Sequence, residues 1–272
     1  MMPTKIPWTD ETINPWVGCT KIRSGCRNCY AERQACRSTS NINSIKNGRW
    51  TGEIDYHLDR LQKPLHWKKP RRIFWCSMSD FFHEKVDWRN QANAIMIMKG
   101  TTCTHQHIIL TKRPDIAKKH LEKIHKEIGL PDNIQLLVSC STQKDVDEMV
   151  PLLLDIQVGP HALKVRGISL EPMIEPIVIK PSWRGDYVYC GQEPPFGSGR
   201  HISWVIIGCV RLPGNRAGRG CENEQQWWSW AQDIIDQCRD VSCFMKQGPI
   251  NGKVVDDPEY FPEQARVRQW PK

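Results

Sequence analysis

Six short apolar runs, each leading into polar residues and most into a longer amphipathic stretch, constrain the fold of this chain more than any other sequence feature. They are Arg72 to Cys76 (RIFWC), His107 to Leu110 (HIIL), Ile134 to Val138 (IQLLV), Val165 to Ser169 (VRGIS), Trp204 to Ile207 (WVII) and Cys243 to Met245 (CFM). Short runs rich in β-branched and aromatic residues read as strands. The segments Trp88 to Lys99, Pro114 to Ile128, Gln143 to Leu154 and Glu224 to Arg239 space apolar residues by three or four and read as helices. Strand and helix in alternation predict an α/β fold around a mostly parallel sheet, because a parallel neighbour requires a crossover. A weaker strand signal lies at Trp16 to Cys19. With 272 residues and no break in composition, the expectation is one domain spanning residues 1–272. That domain is a (β/α) barrel, partial, with six or seven parallel strands. The Gly- and Pro-rich stretch Asp186 to His201 reads as an inserted loop or lid.

The polar residues at the ends of these runs add a functional constraint. Ser77, Met78, Ser79 and Asp80 come after the first run, and Thr111, Lys112 and Arg113 after the second. Ser139, Cys140 and Ser141 come after the third, Glu171 and Pro172 after the fourth, Gly208 and Cys209 after the fifth, and Lys246 and Gln247 after the last. In a parallel barrel all these strand ends open on one face, where side chains scattered in sequence converge on one site.

Composition sets the class. Apolar residues make up 39% of the chain and charged residues 25%, which describes a globular protein rather than a disordered one. No run approaches the roughly 18 apolar residues of a membrane helix, and Met1 to Asp10 carries no apolar stretch of secretory type. The expected compartment is the cytoplasm, with no membrane partner. A formal net charge of +8 favours polyanionic partners such as nucleic acid.

Twelve cysteines are many for a cytosolic chain, where disulfides are disfavoured. Nine of them, at positions 36, 76, 103, 140, 190, 209, 221, 238 and 243, are isolated and expected to be mostly buried small hydrophobes. Cys19, Cys26 and Cys29 differ, standing in C-x6-C-x2-C spacing within a loop over about residues 16–32. Structural zinc and electron-transfer clusters normally take four protein ligands, whereas three thiolates leave one position open for chemistry. A [4Fe-4S] cluster on three thiolates can chelate the amino and carboxylate groups of S-adenosylmethionine. Two alternatives stay open: zinc with a fourth ligand from Cys36, His57 or His66, and unligated thiols.

The segments IPWTDETINPWVGCTKIRSGCRNCYAER, RIFWCSMSDFF, IILTKRP, VRGISLEPMIEPI, ISWVIIG and CFMKQ, in this order, resemble the phage Gp37/Gp68 family, also called domain of unknown function 5131. Its three-cysteine motif is similar to that of radical S-adenosylmethionine enzymes, whose usual spacing is C-x3-C-x2-C. Where the family resembles Gly-Gly-Glu-Ser-Gly, this chain reads Gly208-Cys209-Val210-Arg211-Leu212, without the glutamate. The resemblance implies a barrel of radical-enzyme type and makes Cys19, Cys26 and Cys29 the cluster ligands. It also implies that Ser77, Ser79 and Asp80 meet the methionyl ammonium, and Ser139 and Ser141 the ribose. Glu171 would serve cofactor or substrate, and Lys112, Arg113 and Lys246 would hold a carboxylate or phosphate. A Glu171–Lys112 ion pair is the structural alternative.

Other signals read as ordinary packing. Lys68 to Arg72 is a solvated basic run preceding a strand, with nucleic-acid contact its alternative. Trp227, Trp228 and Trp230 cannot all face one core, so at least one is exposed or covered by another element. His105 and His107 read as structural. Two functions are compatible with these signals. One is a radical enzyme that modifies a nucleotide or nucleic acid, supplied by an external electron donor, with room for a protein partner to complete the site. The other is a non-catalytic, metal-stabilised protein that binds nucleic acid or a partner.

Overall fold

The computed structural model describes residues 4–102, 104–159, 162–185 and 200–271. The expected inserted loop therefore lies, through position 199, outside the described residues, as do Cys103 and Cys190. The fold is mixed α/β. Twelve strands occur among the described residues: β1 (Glu11–Ile13), β2 (Trp16–Val17), β3 (Ile45–Lys46), β4 (Arg49–Trp50), β5 (Asp55–Tyr56), β6 (Arg71–Trp75), β7 (His105–Thr111), β8 (Ile134–Cys140), β9 (Val165–Leu170), β10 (Ile202–Gly208), β11 (Ser242–Ile250) and β12 (Lys253–Val255). The α-helices are α1 (Tyr30–Ala35), α2 (Trp88–Lys99), α3 (Pro114–Ile128), α4 (Gln143–Leu154) and α5 (Glu224–Gln237). Eight strands form one mostly parallel sheet in the order β1-β6-β7-β8-β9-β10-β11-β12. No helix among the described residues is long and apolar enough to cross a membrane.

The chain divides into two compact units. The first comprises Met1–Ile22, Cys29–Leu137 and Ile156–Lys164, and the second Arg23–Asn28, Val138–Asp155 and Val165–Lys272. In the first, β6 pairs in parallel with β1 on one side and β7 on the other. Helix α3 buries Ala117, Leu121 and Ile124, one stripe at helical spacing, and leaves its charged face to solvent. At the start of β6, Arg71 and Arg72 pair with Glu11 and Asp10, so the basic run is partly neutralised at its strand end. His107 is fully buried. Its Nδ1 accepts from the Trp75 indole at 2.9 Å, so the neutral ring carries its proton on Nε2 and donates to the Thr101 hydroxyl at 2.8 Å. Burial, and then the charge of His105, hold the His107 pKa down to about 3, as befits a structural histidine.

In the second unit, β10 pairs in parallel with β9 and β11, and β12 turns back antiparallel to β11. Every residue of β9 is buried, the pattern of a strand covered on both faces. Helix α4 opens on a capping box between Thr142 and Asp145. Trp227 is buried and donates its indole N–H to the Met173 carbonyl at 3.2 Å, while Trp228 donates to the Pro249 carbonyl at 2.9 Å and packs on Phe261. The C-terminal segment is thus the element that covers the second tryptophan.

The differences from the sequence reading have local causes. Strand β1 escapes a hydrophobicity search because Glu11 and Thr12 are polar and only Ile13 is buried. The strand signal at Trp16 to Cys19 shrinks to β2, which pairs with β5 outside the main sheet, because Gly18 at φ +128° ends it. Strand β12 comes after a two-residue turn whose Asn251 and Gly252 both take positive φ, the geometry an Asn-Gly pair favours in hairpins.

Candidate functional site

Charged groups gather first where the chain leaves β6 and β7. Asp80 is 6% exposed and receives four donors. Its Oδ1 accepts from the Thr111 hydroxyl at 2.8 Å and the Phe82 N–H at 3.0 Å. Its Oδ2 accepts from the Lys112 N–H at 2.8 Å and Arg113 Nη1 at 3.2 Å. Arg113, equally buried, donates Nε to Glu84 Oε2 at 2.6 Å and Nη2 to the Thr20 carbonyl at 3.2 Å. The Thr20 hydroxyl donates to Glu84 Oε1 at 2.9 Å. His83 accepts the Lys85 N–H at Nδ1, so its neutral ring donates from Nε2 to the same hydroxyl at 2.9 Å. The family resemblance assigns Asp80 to an ammonium and Arg113 to an anion; in the fold each spends its charge on the other. Ser77 and Ser79 are engaged as well, Ser77 with the Asn14 carboxamide at 3.1–3.2 Å and Ser79 by donating to the Gly18 carbonyl at 2.6 Å.

Burial raises the pKa of Glu84, but hydrogen bonds from its own N–H and from Arg113, with the charge of Arg113, outweigh it and hold the carboxyl at about 2. A carboxyl depressed below its ordinary 4.5 on folding contributes stability above that pH, and the contribution is lost as pH falls toward about 2. Glu84→Gln is expected to flatten the stability curve over that acid window, read by urea unfolding at stepped pH. An unchanged acid limb would remove Glu84 from the anchor.

The second unit holds the other predicted residues. Glu171 pairs with Lys246 of β11. Their neighbour Gly208 leaves no spare room: a Cβ there would stand 3.2 Å from Glu171 Cγ and 3.3 Å from Gln247 Cγ. Burial pulls the Lys246 ammonium down to about 7, against the Asp256 carboxylate. The Glu171 carboxylate in contact with that ammonium favours its charged form. Ser139 and Ser141 are both buried. The Ser141 N–H donates to Asp145 Oδ2 at 3.0 Å, yet its hydroxyl, like that of Ser169, has no hydrogen-bond partner. A buried hydroxyl left without a partner costs about 1–3 kcal/mol, so these two stand ready for a ligand or water.

The cysteine loop is anchored at both ends of its sequence. Gly18 N–H donates to the Met78 carbonyl at 3.2 Å, which fixes the residue before Cys19 beside the exit of β6. In the second unit, Arg23 pairs with Asp145 at 3.4 Å and with Glu148, and Gly25 packs so closely on Ser141 that any Cβ would strike the Ser141 hydroxyl. Cys29 caps α1, and the hydroxyl of Tyr30 donates to the Ser77 carbonyl at 2.8 Å. Cys19, Cys26 and Cys29 are partly exposed and outside any disulfide, whereas Cys76, Cys140, Cys209, Cys221, Cys238 and Cys243 are buried and Cys36 is exposed. Soft thiols on an accessible loop suit iron–sulfur or zinc chemistry. Among the described residues, however, no three His, Cys, Asp or Glu side chains converge closely enough to hold a metal ion. The donor chemistry of three partly exposed thiols fits a cluster.

Sequence reasoning missed Asn14, Thr20, Arg23, Glu84, Asp145 and Ser169. Glu84 carried a usable signal, four residues beyond Asp80, while the others become visible only when the fold brings their segments together.

A family model described as a protein of unknown function (DUF5131) matches the chain over residues 3–256. The chain belongs to the DUF5131 family. No curated protein and no solved structure matches it. The DUF5131 match contains all three loop cysteines, the Asp80–Arg113 anchor and the Glu171–Lys246 pair, and stops short of Phe261, which packs on Trp228.

Proposed function

We propose that this DUF5131 chain is an iron–sulfur, S-adenosylmethionine-dependent radical enzyme of barrel type that modifies a nucleotide or nucleic acid. The observation that carries the reading is the division among the cysteines: the C-x6-C-x2-C set is partly exposed, while six of the isolated ones are buried. Cys19, Cys26 and Cys29 would hold a [4Fe-4S] cluster, which when bound supplies the electron for reductive cleavage of the cofactor. Ser141 offers a buried hydroxyl with unused capacity, suited to a ribose. Lys246 and Glu171 form a part-buried ion pair suited to orienting a polar group of the substrate. Asp80 and Arg113 position the strand ends rather than touch a ligand. The formal charge of +8 supports a phosphate-bearing substrate. An external electron donor completes the reaction.

A second reading, a non-catalytic metal-stabilised binding protein, draws on the pairing of Arg113 and Lys246 with carboxylates, which removes two cations from anion binding. Metal content separates the two. Chain purified without oxygen is expected to carry iron and acid-labile sulfide; stoichiometric zinc without iron would favour the second reading.

A further inference from the structure

Next to β12, the last strand of the main sheet, the second unit adds a small hairpin over residues 210–218. Leu212 N–H donates to the Arg216 carbonyl at 2.8 Å and Gly218 N–H to the Val210 carbonyl at 3.0 Å, while Ala217 N–H ties the hairpin to the Gly252 carbonyl at 2.9 Å. A Cβ on Gly214 or on Gly252 would meet no atom within 4 Å, so the turns at 213–215 and 251–252 both stand in open space. At the roots of these turns Arg216 and Lys253 face each other across an antiparallel bridge, which places their side chains on one face. Both are exposed, as is Arg219. Ile250, opposite Lys253, and Leu212, opposite Arg216, extend the same row and are partly exposed. Like charges set directly opposite destabilise a sheet pair. Among the described residues none of Arg216, Arg219 and Lys253 forms an ion pair. The acidic neighbours are committed elsewhere. Asp256 pairs with Arg211 at 3.1 Å, Glu224 accepts the N–H groups of Asn251 and Gly252 at 3.0 and 2.6 Å, and Glu222 accepts that of Gly220 at 2.8 Å.

We infer that the face carrying Arg216 and Lys253, with Arg219 beside it, is a docking surface for the phosphate backbone of a nucleic acid. Two cations held about 5 Å apart at Cβ, with a third close in sequence, match a ligand whose negative charges repeat along a chain. Such contacts gain free energy by releasing the counterions of the polymer and carry no base readout, so binding is expected to be indifferent to sequence. A bilayer surface fits less well, because the aliphatic part of the row is limited to Leu212 and Ile250, too little apolar area to enter lipid. The formal charge of +8 brings the polymer to the surface. The inference rests on the nucleic-acid reading of the proposed function and deepens it, since the polymer rather than a free nucleotide is what the chain engages. Binding at this face requires neither cluster nor cofactor.

Fluorescence anisotropy of the full chain over a salt series tests the surface, with labelled duplex DNA, single-stranded DNA and single-stranded RNA as probes and no iron or S-adenosylmethionine added. The parent chain is expected to bind at least one of them, more weakly as salt rises. In the double variant Arg216→Gln/Lys253→Gln, affinity at about 0.1 M salt should fall at least about tenfold, and the slope of log affinity against log salt should flatten by about 1.8 on a duplex or about 1.4 on a single strand, the share of two phosphate contacts. Arg219→Gln, which leaves the bridge untouched, should weaken binding in the same direction. Lys119→Gln/Lys126→Gln removes the same charge from exposed positions on α3 and should bind as the parent does. The urea midpoint of the first double variant should be no lower than the parent's, because the opposed charges are gone, and this separates lost binding from lost fold. Undiminished binding by Arg216→Gln/Lys253→Gln, an equal loss in the α3 variant, or binding to phosphatidylserine vesicles but to no nucleic acid would each overturn the inference. In the first two results nucleic acid still binds, so the surface falls and the nucleic-acid reading stands. Absence of binding to all three polymers removes both, and 5′-deoxyadenosine formation then judges the radical chemistry by itself.

Discussion

Asp80→Ala is expected to destabilise the chain by about 3–5 kcal/mol, the range for removing one partner of a buried ion pair. Asp80 and Arg113 have side chains 7% and 5% exposed, so water cannot replace what the carboxylate supplies. The substitution also strands the Thr111 hydroxyl and the backbone N–H groups of Phe82 and Lys112, all of which donate to it. Glu84 would keep its hold on Arg113, but that carboxylate is much more exposed and its ion pair correspondingly weaker. The measurement is the urea midpoint and slope. Asp80→Asn, which keeps the shape of the side chain but not its charge, should lose less and serves if the alanine chain does not fold. A loss under about 1 kcal/mol in Asp80→Ala would mean that Arg113 is solvated or held without it.

Single substitutions Cys19→Ala, Cys26→Ala and Cys29→Ala are each expected to abolish iron loading in chain reconstituted without oxygen. Three ligands act as a unit, because losing one thiolate leaves a second iron without a protein ligand. Cys36→Ala, outside the spacing, should load as the parent does. Iron and acid-labile sulfide per chain are the readouts, with urea unfolding to establish that each variant is folded. Full iron in any of the three would sink the ligand assignment.

The α/β alternation was legible because β6 through β10 carry dense apolar runs and α3 a clean stripe at Ala117, Leu121 and Ile124. Strand β1 was not, since two of its three residues are polar and its partner β6 lies in a distant part of the sequence. For the candidate residues of each unit, identity was readable and charge pairing was not. Asp80, Arg113, Glu171 and Lys246 stand out in sequence as polar groups after apolar runs. That Arg113 belongs to Asp80 and Glu84, and Lys246 to Glu171, depends on distances no spacing encodes. The isolated cysteines were expected to be buried, and those described are, apart from Cys36.

The most direct test of the proposed function is to incubate the reconstituted chain with S-adenosylmethionine and dithionite without oxygen and to measure 5′-deoxyadenosine. A radical enzyme built on the three loop cysteines should form it above the level given by the Cys19→Ala chain under the same conditions. Equal amounts from the two chains, with the parent fully loaded with iron, would contradict that function.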